Sequence, residues 1–194
     1  MLSNILPKYF LDIAASVSIM APIIIGVFIL YKQQYTNLRI VVIYCFIYAV
    51  FEIIAWYHAL NHLQNHFLFN ILSYIDIIFW GVFYYSILEK TVTKKIVIFL
   101  VTVTLILTFW SHFGTGRDFN RMDSFALSVG SISLIAMSLL YFHQILNNLE
   151  IKNIFIYPFF WINVAVLIYF SGSFFSFIFA EYIAFSPEIG RAHV

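Results

Sequence analysis

Residues 67–88 read FLFNILSYIDIIFWGVFYYSIL, an apolar run in which Asp76 is the one charged residue. A helix of about 20 apolar residues crosses the ~30 Å hydrocarbon core of a bilayer. The run is apolar on every face and lacks the period-2 alternation of a membrane-barrel strand. It therefore predicts a transmembrane helix.

The composition of the whole chain agrees with this prediction. Its 194 residues are 63% apolar and 10% charged, whereas a soluble domain averages about 45–50% apolar and about 25% charged. A chain of this size cannot hide so much apolar surface from water, which excludes a soluble globular protein. The low charge excludes a disordered chain, and the net charge of +1 excludes a basic nucleic-acid-binding surface.

Other runs have the same character and length, and together they predict an all-α, polytopic transmembrane bundle with six spans. The six runs are residues 9–31, 38–60, 67–88, 95–113, 122–146 and 158–185. The connections are short, so neighbouring spans should be antiparallel. With the N-terminus outside, six Lys and Arg residues fall in cytoplasmic connections and three fall outside. The positive-inside rule therefore predicts a multi-pass protein of the cell's inner (plasma) membrane with an external N-terminus.

The last seven residues, 188–194, read EIGRAHV. Back-translated as GAG ATC GGA AGA GCA CAC GTC, they resemble a widely used sequencing adapter. We therefore interpret residues 1–187 as a single transmembrane domain and 188–194 as an artefact. We expect the native chain to continue beyond about Pro187 into a seventh span; a genuine short polar tail is the alternative.

Two carboxylates lie inside predicted spans, Glu52 in the second and Asp76 in the third. Each costs roughly 2.5–3.5 kcal/mol near the middle of a membrane, so such acids are functional hypotheses by default. Both lie ~12–14 Å from the outer ends of their spans, so the carboxyl groups could meet at one depth. At least one should then be protonated. This polar core could be interhelical glue, a ligand-binding or signalling core, or a proton or cation pathway.

Histidines form a second group of candidate site residues. His58, His62 and His66 are spaced i, i+4, i+8 and would share one face of a continuous helix, a spacing that could bind Zn²⁺. The polar residues of the segment 61–65 indicate instead that the helix ends there, which favours a solvated cap cluster. No metal is assigned on this evidence.

His112 should lie on the same outer side, at the end of the fourth span, with Asp118 and Asp123 following it. Convergence of these groups would support a metal-binding or pH-sensing surface, because histidine titrates near neutrality. Asp118, Asn120 or Asp123 could also cap the fifth span, and an outer ligand lid is the alternative for this loop.

Small residues recur every four positions on three spans, which lets helix backbones approach closely in lipid. Contact within one bundle is the ordinary interpretation, and a face for a homo-oligomer is the alternative. The stripes are Ala14, Ser18, Pro22 and Gly26; Ala126 and Gly130; and Gly172, Ser176 and Ala180.

Three segments resemble a family of short, uncharacterised bacterial seven-helix integral membrane proteins. They are FEIIAWY at 51–57, YIDIIF at 74–79, and FWIN at 160–163 followed by IYFSGSF at 168–174. Some members resemble relatives or partners of membrane-bound sensor histidine kinases. The resemblance implies an acid in spans two and three, an Asn/His-rich outer loop, and a further helix after Tyr182. Asp76 stands where the family pattern has Glu.

No HExxH, GxSxG, CxxC or glycine-rich phosphate loop occurs in the chain. We therefore predict a non-enzymatic protein without a cofactor. The favoured function is a sensory or signalling membrane module that passes a helix shift to a cytoplasmic partner such as a histidine kinase. The alternatives are a small transporter or proton-coupled permease that uses Glu52 and Asp76, and a purely structural subunit.

Overall fold

The computed structural model describes residues 24, 26, 37–61, 63–116, 118–147 and 154–185, with side chains described as far as residue 179. The first predicted span, 9–31, lies outside the described residues except for residues 24 and 26, which are helical. His62, the tail 188–194 and the predicted seventh span also lie outside them.

The described part of the chain is helical and contains no strand. Its five long helices are each long and apolar enough to cross a membrane. They are α1 (Leu38–Leu60), α2 (His66–Ile87), α3 (Thr91–Phe109), α4 (Ser124–Asn147) and α5 (Pro158–Phe185). A π-helical turn, Trp110–Gly114, extends α3, and a 3-10 turn, Ile154–Ile156, precedes α5. The predicted all-helical class is confirmed, with five membrane-length helices.

One predicted boundary is wrong by a turn, because α3 begins at Thr91 and not at residue 95. The Lys90 carbonyl accepts hydrogen bonds from the Thr93 hydroxyl at 2.7 Å and from the Lys94 N–H at 3.1 Å, which adds this first turn. The charge of Lys94 does not prevent helix formation here, since its ammonium group lies 5.1 Å from the centre of the Tyr85 ring.

The chain divides into two compact units, Met1–Asn65 and His66–Val194. In the first unit, Gly26 lies against α1: a Cβ added to Gly26 would stand 2.7 Å from Val42 Cγ2. One position of the small-residue stripe on the first predicted span therefore does allow close helix approach.

In the second unit, α4 packs against α2, α3 and α5, and α2 also packs against α3. The close approach of α2 and α3 depends on Gly81, where an added Cβ would lie 2.5 Å from Val101 Cγ2. Gly130 and Gly172, from the other two stripes, have no neighbouring side chain within 4 Å of such a Cβ among the described residues. Close helix approach at these two stripes therefore stays a prediction.

The second unit has two ends that differ in their polar contacts. We call the end where α2 ends and α3 begins the Gln144 end, and the opposite end the His112 end. At the Gln144 end, the Gln144 amide accepts from the Glu89 N–H at 2.8 Å and donates to the Ile87 carbonyl at 3.2 Å. The Gln144 side chain on α4 thereby pairs a backbone N–H and a backbone carbonyl at the α2–α3 turn that have no partner within a helix.

In the interior next to the Gln144 end, Asn163 of α5 is fully buried, and both the oxygen and the nitrogen of its side-chain amide form hydrogen bonds. It accepts from the Tyr84 hydroxyl at 2.7 Å and donates to the Ser138 carbonyl at 3.1 Å. These bonds join α2, α4 and α5 through neutral groups. They explain why an amide is tolerated in an apolar interior, since each of its buried polar atoms has a partner.

Candidate site at the His112 end

The last turn of α3 widens into the π-helical turn Trp110–Gly114. The wider turn places Ser111 and His112 inside the protein, with 2% and 4% of their surfaces exposed, while Trp110 and Phe113 remain on the outside. π-helical turns are rare and occur frequently at functional sites, where the extra residue redirects side chains.

His112 lies between a tyrosine and a carboxylate. Its Nδ1 is 2.8 Å from the Tyr74 hydroxyl on α2, and its Nε2 is 3.6 Å from Asp123 Oδ2. Nε2 has no hydrogen-bond partner among the described residues. Because an ionised carboxylate only accepts, we assign a hydrogen to Nε2, facing Asp123. In the neutral imidazole, the Tyr74 hydroxyl then donates to Nδ1.

Asp123 has two tasks at the start of α4. Its Oδ1 accepts from the Ala126 N–H at 3.0 Å, which is the bond of a helix N-cap, and its Oδ2 accepts from the Ser111 hydroxyl at 2.5 Å. Of the three residues that the sequence offered as caps, Asp123 is therefore the one used. Asp118 instead accepts from the Asn120 backbone N–H at 2.9 Å within the connecting loop.

Asn70, in the first turns of α2, holds the loop that leads into α4. Its fully buried amide donates to the carbonyls of Phe119 and Arg121 at 2.7 and 2.8 Å. Its oxygen accepts from the Asp123 N–H at 3.2 Å. One side chain thus holds the segment from Phe119 to Asp123 against α2.

Aromatic rings cover the imidazole. The Phe119 ring stands edge-on to the His112 ring with centres 5.1 Å apart, and the Phe113 ring stacks on Phe119 at 6.1 Å. In such apolar surroundings the interaction between His112 and Asp123 is weakly screened, because little water separates them. A change in the charge of either group therefore has a strong effect on the other.

The structure brings together part of the predicted outer surface. His112 and Asp123, for which the sequence predicted only a shared side, lie close together, and Tyr74 and Ser111 join them. His58 lies in the last turn of α1, where its Nδ1 is 3.2 Å from the Gln64 carbonyl oxygen, and His66 opens α2. Across the described residues, which omit His62, no group of three or more His, Cys, Asp or Glu side chains could hold a metal ion.

Glu52 and Asp76 are both half-buried within α1 and α2, and both side chains have partners. They belong to different compact units, which are described separately. A direct meeting of the two carboxyl groups therefore stays a prediction.

Sequence reasoning missed Tyr74, Ser111 and Asn70. Tyrosine and serine are common in membrane helices, so neither residue type stands out. Asn70 did carry a signal, because an amide so close to the start of an apolar span needs several hydrogen-bond partners when it is buried.

Comparison of the chain with protein-family models, with curated proteins and with solved structures finds no match. The functional argument therefore depends on the chain's own geometry.

Proposed function

We propose that the protein is a sensory or signalling membrane module in which the network of Tyr74, His112, Asp123 and Ser111 is the responding element. The supporting observation is that His112 contacts groups from two other places at once: Tyr74 of α2 and the Asp123 cap of α4. A change in the charge or hydrogen bonding of His112 would alter both contacts. It would thereby bias the relative positions of three helices, which is the differential interaction that a switch requires.

Two further parts of the proposal come from the sequence. The distribution of Lys and Arg favours an orientation with the His112 end outside and the Gln144 end in the cytoplasm. The resemblance to partners of sensor histidine kinases makes such a kinase the proposed recipient of the signal at the cytoplasmic side.

Transcript profiling tests this function in the native host. Deletion of the gene should change transcription of a defined regulon, and a His112→Phe variant, which keeps a ring but removes both nitrogens, should reproduce that change. The matched control is His143→Phe, at an exposed position on α4. Unchanged transcripts in the deletion strain across several growth conditions would refute the proposal.

A small transporter or proton-coupled permease is the second candidate, favoured by the half-buried acids Glu52 and Asp76 within apolar helices. Glu52→Gln and Asp76→Asn should then abolish substrate uptake at normal membrane levels of the protein. Uptake that survives both substitutions would exclude this function.

A further inference from the structure

A groove lies on the surface of the second unit beside the His112 network. It has a volume of about 630 Å³, within the range of ligand pockets. Apart from Tyr74, its lining comes from the end of α3 and the π-helical turn: Leu105, Ile106, Phe109, Trp110, Phe113 and Gly114.

The shape of the groove depends on Gly114. A Cβ at this position would lie 2.7 Å from Trp110 Cδ1 and 2.9 Å from Trp110 Nε1. The indole ring can therefore lie on the backbone only because residue 114 has no side chain. The same π-helical turn that buries His112 thus also forms one wall of the groove.

Two polar groups belong to the lining side chains, and they have opposite hydrogen-bond characters. In the tautomer assigned to neutral His112, the Tyr74 hydroxyl donates its hydrogen to Nδ1, so its oxygen is left with lone pairs that accept. The Trp110 indole N–H only donates, and in the part of the chain that the structure describes no hydrogen-bond partner is recorded for it. Among the residues that the structure describes, no charged side chain lines the groove.

We propose that this groove binds a neutral, membrane-dissolved alcohol, with its apolar body on the α3 side chains and its hydroxyl group beside Tyr74. A hydroxyl group both donates and accepts, so it matches the tyrosine oxygen and the indole N–H. An ionised head group has no counter-charge here and would be destabilised in apolar surroundings. Hydrogen bonding of the alcohol to Tyr74 changes the tyrosine's bond to His112. The idea that this alcohol is the ligand that the protein senses rests on the proposed signalling function.

Photolabelling of the full chain in phosphatidylcholine nanodiscs tests binding. The probe is hexadecanol carrying a diazirine, and the matched probe is its methyl ether, which can accept a hydrogen bond but cannot donate one. The alcohol should label Tyr74 and residues 105–114 about threefold to tenfold more than the ether, the range expected for one hydrogen bond. Tyr74→Phe should bring the ratio close to one.

Two isoleucines of similar exposure provide a matched pair for the apolar part of the groove. Ile106 lines the groove and is 61% exposed, whereas Ile132 on α4 is 51% exposed and lies outside the lining. Ile106→Trp should reduce labelling of residues 105–114 to the level seen on other lipid-facing helices. Ile132→Trp should leave it unchanged.

Three results would overturn the inference: equal labelling by the alcohol and the ether, labelling that Ile106→Trp leaves intact, or equal labelling by a diazirine phospholipid. If the variants fold poorly, competition on the unaltered chain decides, because unlabelled hexadecanol should displace the probe at a concentration about threefold to tenfold lower than its methyl ether requires. Labelling is measured on purified protein and signalling on transcripts. If the alcohol binds but transcription does not change, only the proposed function is refuted. If transcription changes as predicted but the alcohol does not bind, only the proposed ligand is refuted.

Discussion

The two ends of the second unit use polar side chains in different ways. At the Gln144 end and in the adjoining interior, the hydrogen bonds of Gln144 and Asn163 join neutral groups, and both polar atoms of each side-chain amide are bonded. At the His112 end, a histidine and a carboxylate lie 3.6 Å apart, and the imidazole Nε2 has no hydrogen-bond partner in the described chain.

The two kinds of polar contact suit different roles. Neutral hydrogen bonds stabilise one structure, whereas a histidine beside a carboxylate can respond to a change in charge. A saturated set of neutral hydrogen bonds has one favoured arrangement and does not change with protonation. A histidine with a hydroxyl group on one side and a carboxylate on the other has alternative proton arrangements, each with different bonds to its neighbours. The comparison therefore predicts that substitutions affect stability and output unequally at the two ends.

The largest loss of stability is expected for Asn70→Leu. This change leaves the carbonyls of Phe119 and Arg121 and the Asp123 N–H without their partner. The free energy of unfolding should fall by about 3 kcal/mol, because losing a hydrogen bond costs about 0.5–1.5 kcal/mol and leaving the buried Asp123 N–H without a partner costs about 1–3 kcal/mol. Reversible unfolding in mixed micelles measures this.

Asn147→Leu is the control for Asn70→Leu, because Asn147 is exposed and, within the described residues, its side chain bonds only to the His143 carbonyl of its own helix. It should change the unfolding free energy by less than about 0.5 kcal/mol. Equal losses in the two variants would show that Asn70 does not hold the connecting loop.

The next largest loss of stability is expected for Gln144→Met. Methionine has a similar shape to glutamine but cannot form either of the two hydrogen bonds at the α2–α3 turn. The unfolding free energy should fall by about 1–2 kcal/mol. Transcript output should remain at the wild-type level. Loss of output with unchanged stability would reverse the roles that we assign to the two ends.

The sequence predicted more about the helices than about the contacts between them. The apolar runs predicted α1 and α5 with the observed bounds, because membrane thickness dictates helix length. The π-helical turn at Trp110 could not be predicted, since it needs one extra residue in a turn whose composition is otherwise ordinary. The sequence predicted that His112 and Asp123 share one side but not that they meet, and the contact with Tyr74 depends on how α2 and α3 pack.

Two substitutions at Asp123 can separate the effect of the helix cap from the effect of the carboxylate. Asp123→Ala removes the bonds from the Ala126 N–H and from the Ser111 hydroxyl and should cost about 1–2 kcal/mol of stability, whereas Asp123→Ser should restore the share that comes from the cap, because serine also caps helices. Both variants should lose output, since neither places a carboxylate beside His112. Normal output in Asp123→Ser would show that the carboxylate serves only as a cap.

The smallest effect on stability is expected for His112→Phe. The substitution removes the bond from Tyr74 but also removes a buried Nε2 without a hydrogen-bond partner, and it keeps a ring against Phe119. These effects oppose each other, so the unfolding free energy should change by less than about 1 kcal/mol. A loss as large as that of Asn70→Leu would make His112 a structural residue.

The most direct test compares transcript output from His112→Phe and Gln144→Met strains at matched membrane levels of the two proteins. The account predicts that His112→Phe reproduces the deletion strain although its protein is stable, and that Gln144→Met retains wild-type output although its protein is less stable. Wild-type output from His112→Phe would contradict the assignment of the responding element to the network of Tyr74, His112, Asp123 and Ser111.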